Sequence, residues 1–226
     1  SIRTSGRVNA DRDSIGQAAR NYDNAWEPKV LTNERKWSTL VHPKDIDQTN
    51  QVASIANITQ VYNEEQKFPE MDAYLISQLY YLWTHTDASD SEKIAMTADT
   101  TALTAANILS VFDQMMENMD EARVPANGRI LYVTSQVRTL LKEASGIVRN
   151  FDVQSGGSNV DRAISRLDEV EVVSVPSTLM KTAYTFTSGW EVASGAAQIN
   201  MFLVHPSAVI TPVSYEFAQL DQPSAV

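Results

Sequence analysis

The sequence predicts an α+β fold, and three observations lead to that prediction. A β-prone stretch comes first, two strongly apolar helical segments follow, and three short runs rich in Val, Ile and Leu come after them. Strands and helices therefore do not alternate along the whole chain as they do in an α/β fold. No internal repeat is present.

The composition fits a folded protein and excludes several functional classes. The chain has 226 residues, 43% of them hydrophobic, and a net charge of −10. This charge argues against a broad basic surface that grips nucleic acid. Because there are no cysteines, disulfides, thiolate metal sites and cysteine nucleophiles are excluded. No apolar run reaches the roughly 18 residues that a membrane-spanning helix needs, and no secretory signal is evident.

Residues 1–21 are predicted to form an N-terminal arm. They are polar, and arginines outnumber acidic residues among them. A solvated arm is the simpler interpretation, and a binding role for its arginines stays open.

The stretch from Tyr22 to Asn50 predicts a loose β-hairpin. Two short β-prone runs flank a charged tip that carries Trp37, and Pro28 and Pro43 bracket the unit. A two-stranded ribbon is marginally stable by itself. This hairpin therefore needs another surface to lie on.

Two helices are predicted after the hairpin. The first covers Gln51 to Glu65, and the second begins at Phe68 with Pro69 in its first turn, where the missing N–H costs nothing. The second helix carries two apolar rows at helical spacing. One row would face the core of its own chain. It is open whether the other is buried within one chain or only in an assembly. The first row is Met71, Leu75, Leu79 and Leu82; the second is Ala73, Ile76, Tyr80 and Trp83.

The second half mixes helix and strand. A helix is predicted over Ala98 to Met119, capped by Asp99 or Thr100, and a shorter one from Ser135 through Ala144. Asn150 to Asn159 is predicted as a flexible loop, Thr178 to Ala197 as irregular and Val209 to Phe217 as extended. Buried strands are predicted at Arg129 to Thr134, Val170 to Val175 and Ile199 to Pro206.

No catalytic, cofactor-binding or metal site is predicted. His42, His85 and His205 are far apart, and His205 is interpreted as a structural cap rather than a base. No nucleophile elbow, dinucleotide fingerprint or phosphate-binding loop occurs. The carboxylates are numerous, but Asp113 and Glu117 lie opposite the apolar face of their helix, as on a solvated surface.

Several ordered segments resemble a known family. They are "YDNAWEPKVLTNERKW", the "FPEMDAY" block from Phe68 to Tyr74, "VPANGRILYVTSQV" and "INMFLVHPSAVI". Together they resemble major capsid proteins of tailed bacteriophages with the HK97-like fold, most closely a subgroup that infects Gram-positive bacteria. The resemblance implies four regions. These are an N-terminal arm (1–21), an E-loop (22–56), a P-domain (57–86 and 211–226, with a spine helix over 68–86) and an A-domain (87–210) whose sheet holds the three buried strands.

The resemblance also implies a function. The protein would be a non-enzymatic subunit that assembles with itself into pentamers and hexamers of an icosahedral shell around double-stranded DNA. DNA would be enclosed without sequence-specific binding, and scaffolding and portal proteins would take part in assembly in the host cytoplasm. The subunit-interface candidates are the E-loop residues Trp26, Arg35, Lys36 and Trp37, with Trp37 as apolar anchor and Arg35 as charged clasp.

Two other classes stay open. An encapsulin-like compartment shares the fold and holds protein cargo, and a soluble α+β enzyme or binding module needs no assembly. Particle contents would separate the first class from a virus. A stable monomer would favour the second.

Overall fold

The computed structural model contains two compact units, residues 1–40 with 212–226 and residues 41–211. It describes residues 2–4, 6, 22–24, 26, 30–85, 96–144, 164–213 and 215–219. The predicted loop over Asn150 to Asn159 lies outside the described residues. The limits predicted for the E-loop, P-domain and A-domain remain predictions.

The first unit has little regular structure among its described residues. Strand β1 (Ile2–Thr4) pairs antiparallel with β2 (Tyr22–Asn24), so the predicted N-terminal arm begins with a short strand. No strand lies within residues 30–42. The hairpin predicted between Tyr22 and Asn50 is therefore wrong over this part, because an isolated ribbon without a further surface does not hold its ladder.

The second unit opens with two short helices, each started by a side-chain cap. Helix α1 (Pro43–Gln48) places Pro43 at its start, and His42 Nδ1 accepts a hydrogen bond from the Lys44 N–H at 3.1 Å. Pro43 thus opens a helix instead of ending a strand. Helix α2 (Ile55–Tyr62) begins after Ser54, whose hydroxyl accepts from the Asn57 N–H. This confirms a helix in the predicted stretch, although turns occupy the positions before Ser54.

The long helix α3 (Phe68–Thr84) does not begin freely at Phe68. A π-helical turn (Asn63–Lys67) joins α2 to α3, and the Phe68 N–H donates to the Asn63 carbonyl five residues earlier. Pro69 lies in the first turn of α3, as predicted, but this turn continues directly from another helical segment. A proline inside a helix lacks its N–H and clashes with the carbonyl four residues back. The wider π turn accommodates both defects.

Helix α4 (Ile108–Glu121) is shorter at its start than predicted. Asp99 and Thr100 do not cap it. The Asp99 carboxylate accepts from the Thr101 N–H at 2.8 Å instead. Asn107 precedes the helix, but its side chain bonds backwards, accepting from the Thr104 N–H and donating to the Ala102 carbonyl. These local turns compete with helix and delay its start.

A four-stranded mixed sheet forms the centre of the second unit. Its strands are β3 (Ile130–Thr134), β4 (Arg166–Leu167), β5 (Val170–Val175) and β8 (Met201–Val204), in the order β4-β5-β3-β8. Strand β3 runs parallel to β5 and antiparallel to β8. The three strands predicted from sequence are thus confirmed as neighbours in one sheet. Helix α5 (Ser135–Glu143) follows β3 directly, as predicted, with Thr134 as its cap.

One face of this sheet carries the main core. Leu131 and Val133 from β3 meet Phe112 from α4 and Leu141 from α5, and all four are almost fully buried. The opposite face presents Tyr132 and Phe202, whose rings stack with centroids 5.0 Å apart. Alternation of side chains along a strand places these residues on the opposite face from Leu131 and Leu203.

Arg129 is buried just before β3, and its guanidinium fixes the connection from α4. Its Nη2 donates to Asp120 at 2.7 Å and to the Val124 carbonyl at 2.6 Å, and its Nε donates to the Pro125 carbonyl at 3.0 Å. Only 1% of the residue is exposed. A buried charge is tolerated when it is paired and hydrogen-bonded in this way.

A small hairpin and two short 3₁₀ turns complete the unit. Strands β6 (Tyr184–Thr185) and β7 (Glu191–Val192) pair antiparallel within the stretch predicted to be irregular. The 3₁₀ turns cover Ser177–Leu179 and Pro206–Ala208. His205 Nδ1 accepts from the Ser207 N–H, so the predicted capping role of His205 is confirmed. Residues 209–213 form no strand.

Candidate assembly surfaces

The four predicted interface residues lie at the surface of the first unit. Trp26 is 97% exposed, and Arg35 and Lys36 are exposed neighbours in the irregular segment over residues 30–40. Trp37 is 43% exposed, so part of this residue is covered within the chain. Their role in subunit contacts stays a prediction.

The inner face of α3 is covered by its own unit. Ala73, Ile76 and Ser77 are buried. The Tyr74 ring meets Phe186 edge-on at 5.5 Å, and Trp83 meets Phe202 at 6.0 Å. The row that was left open in the sequence is therefore the one that packs within a single chain.

The opposite face of α3 is apolar and uncovered in the single chain. Phe68 is 52% exposed, Met71 is 49% exposed and Leu82 is 51% exposed. Leu75 and Leu79 between them are half-buried. Spacings of three and four residues place all five on one side of the helix. We call this set, Phe68, Met71, Leu75, Leu79 and Leu82, the outer row.

Sequence periodicity alone left the orientation of α3 undetermined, because both rows are apolar. Small residues gave the usable signal. Ala73 and Ser77 lie on the buried face, where close approach of another element requires small side chains, whereas the outer row contains only large ones. An exposed row of large apolar side chains is a candidate surface for binding another protein.

Other large apolar side chains are exposed outside the outer row. Three lie just before or within α2, several lie in the first unit, and one lies at the end of the second unit. They include Val52, Ile55 and Val61, then Val30, Leu31 and Leu40, then Ile210, Val213, Tyr215 and Phe217. Single exposed apolar residues are ordinary in proteins. Runs of this kind along several segments are less ordinary, and they are candidates for burial against other chains.

One carboxylate lies beside the outer row. Asp72 follows Phe68 by four residues and precedes Leu75 by three, so it shares their side of the helix. Partial burial raises the pKa of the Asp72 carboxyl above its ordinary value. By contrast, hydrogen bonds from Thr101 lower the pKa of Asp99, which is fully exposed.

The three histidines all lie at helix ends. His42 and His205 each precede a proline and accept a backbone N–H at the start of a helix. His85 ends α3, with its ring stacked on Tyr81 at 4.3 Å. Within the described ranges, no group of three or more His, Asp or Glu side chains is arranged to hold a metal ion. None of the helices described has both the length and the apolar content to cross a membrane.

Comparison with known proteins gives structural matches only. No protein-family model matches the sequence, and no curated protein sequence matches it significantly. A chain from a solved structure of Mycobacterium phage Che8 superposes with a TM-score of 0.50 at 16% identity, covering 77% of this chain. A chain from the asymmetric unit of the bacteriophage PhiM1 mature capsid gives 0.53 at 20% identity, covering 91% of this chain.

These matches establish a shared fold. The chain spans 60% of the length of the Che8 chain and 66% of the PhiM1 chain. The α+β arrangement described above is thus one that two phage structures also contain, one of them a mature capsid.

Proposed function

We propose that the protein is a major capsid protein of a tailed bacteriophage with the HK97-like fold. It assembles into pentamers and hexamers that close an icosahedral shell around double-stranded DNA. The observation that carries this proposal is the outer row, an uncovered apolar face on a helix whose opposite face is packed. The structural likeness to the PhiM1 capsid chain supports the same conclusion.

A shell subunit has a physical reason to leave such surfaces uncovered. In a closed symmetric assembly every subunit presents several patches that other copies bury. Obligate interfaces resemble a protein core divided between two chains. The outer row and the exposed apolar residues of the first unit have that character, since each would be unfavourable on a permanent monomer.

The proposed partners follow from the same model. The protein binds copies of itself, scaffolding and portal proteins act during assembly in the host cytoplasm, and the product is the virion shell. The net charge of −10 is compatible with enclosing DNA without holding it through a basic surface. Trp26, Arg35, Lys36 and Trp37 contribute to subunit contacts, with Trp37 buried by a neighbour.

Sedimentation of the purified chain, followed by negative-stain microscopy, tests the proposal. We expect fast-sedimenting particles. The double substitution Met71→Gln with Leu82→Gln should greatly reduce their yield without lowering the melting temperature, because both side chains are half-exposed in the single chain. Val192→Gln is the matched control, an exposed apolar residue on β7 that should leave the yield unchanged.

Other outcomes would correct the proposal in defined ways. A stable monomer at high concentration, without particles, contradicts a shell protein. Equal losses for the outer-row variant and the Val192 control remove the outer row from the interface. Particles that carry an enzyme instead of DNA indicate a compartment. Unchanged particle yield for Trp37→Ala with Arg35→Glu removes the E-loop residues from the interface.

A further inference from the structure

The connection between α4 and β3 contains the dipeptide Asn127–Gly128, whose side chain and backbone can react with each other. Of the thirteen asparagines in the chain, only Asn127 is followed by glycine. Both residues are exposed and lie in a turn. Gly128 has a φ of +87°, a conformation that side chains rarely adopt. Without a side chain on residue 128, its amide nitrogen is sterically open to the Asn127 side chain.

A hydrogen bond activates the amide that joins these two residues. His205 Nε2 lies 3.2 Å from the Asn127 carbonyl oxygen. A carbonyl can only accept, so Nε2 carries the proton and Nδ1 accepts from Ser207. A carbonyl that accepts a hydrogen bond better stabilises the negative charge of the deprotonated amide. The Gly128 N–H is thereby made more acidic, so a larger fraction of this amide is present as the nucleophilic anion.

We propose that Asn127 is a site of spontaneous deamidation. The deprotonated Gly128 nitrogen attacks the Asn127 side-chain carbonyl carbon, a C–N bond forms, and ammonia leaves with the proton taken from the backbone amide. The resulting succinimide ring then adds water at either carbonyl. The products are aspartate and isoaspartate at position 127. Water is the only co-reactant, and no oxidation or reduction occurs.

The modification changes the charge of a defined part of the surface. Asn127 lines a shallow recess with Arg166, Asp168 and Glu169. Deamidation adds a third carboxylate to the two already there, against one guanidinium. The isoaspartate product also lengthens the backbone by one methylene and converts the carbonyl that His205 contacts into a free carboxylate. The negative charge at this recess therefore increases as the molecule ages.

Peptide mapping by mass spectrometry of the intact chain tests the proposal. After incubation at 37 °C, the peptide with Asn127 should gain about 1 Da, and enzymatic methylation should detect isoaspartate there. The rate should rise steeply from neutral to alkaline pH, because the amide must lose a proton. The twelve other asparagines in the same digest are internal controls and should convert more slowly.

Asn127→Gln provides the matched variant. Its longer side chain would have to close a six-membered ring, which forms far more slowly, so the mass gain at this position should disappear. Conversion at Asn127 no faster than at the other asparagines overturns the proposal. Aspartate without any isoaspartate overturns the succinimide route.

Discussion

The two sides of the second unit differ in how completely their large apolar side chains are buried within the chain. Around the sheet, large side chains such as Phe112 and Leu141 are nearly inaccessible, and even the buried Arg129 has its partners. Along α3, Phe68 and Leu82 remain half-exposed. Hydrophobic burial stabilises the first region in the monomer. The same residue type therefore has different energetic roles in the two regions.

The largest expected effect compares two phenylalanines. Phe112→Ala should lower the free energy of unfolding by about 3–5 kcal/mol, because it leaves a cavity in a closed core. Phe68→Ala removes the same ring from an exposed position and should cost about 1 kcal/mol or less. Chemical denaturation of both variants under conditions that keep the chain monomeric measures the difference.

Assembly should rank the two variants in the opposite order. Phe68→Ala should reduce particle yield while its monomer unfolds nearly as the parent does. If Phe68→Ala destabilises the monomer as strongly as Phe112→Ala, the outer row already contributes to the core, and the contrast between the two sides of the unit is lost.

The next effect concerns the buried guanidinium. Arg129→Met should destabilise the chain by about 2–4 kcal/mol, because the Val124 and Pro125 carbonyls lose the charged donor that the buried guanidinium supplies. Arg123→Met is the matched control on the same connection. Its side chain is exposed, so the cost should stay within about 0.5 kcal/mol. Similar losses in thermal unfolding for both variants would show that Arg129 does not hold this connection.

Much of the fold was predictable because its signals are local. The strand from Val170 to Val175 and the helix from Ser135 were found from apolar runs and a capping residue. The start of α4 was not predicted correctly, because Asn107 and Asp99 form turns that compete with the helix. The π turn before Pro69 was also not predicted, because apolar periodicity cannot show that two helices join.

The candidate surface was only half predictable. Sequence showed two apolar rows on α3, but the choice between them depends on residues far along the chain, such as Phe186 and Phe202. The burial of Arg129 was not predicted for the same reason, because tertiary packing creates its environment. The first-unit candidates Trp26 and Trp37 rest on the resemblance alone, and particle formation is the measurement that decides their role.

The smallest expected effect is a pH dependence of opposite sign at two carboxylates. Partial burial raises the pKa of Asp72, so the folded chain favours its protonated form. That contribution to stability is complete below about pH 4 and is lost as the pH rises through the raised pKa. Asp99 has a lowered pKa, so its contribution is present at neutral pH and is lost on acidification through that lowered pKa.

Asp72→Asn and Asp99→Asn therefore form a matched pair with equal loss of charge. Denaturation at pH 4 and pH 7 should show that Asp72→Asn relatively favours the folded chain at neutral pH and Asp99→Asn does not. Because a neighbour that covers the outer row desolvates Asp72 further, Asp72→Asn should also raise the assembled fraction at neutral pH. An equal rise for Asp99→Asn would trace the effect to the overall charge of −10 and not to the outer row.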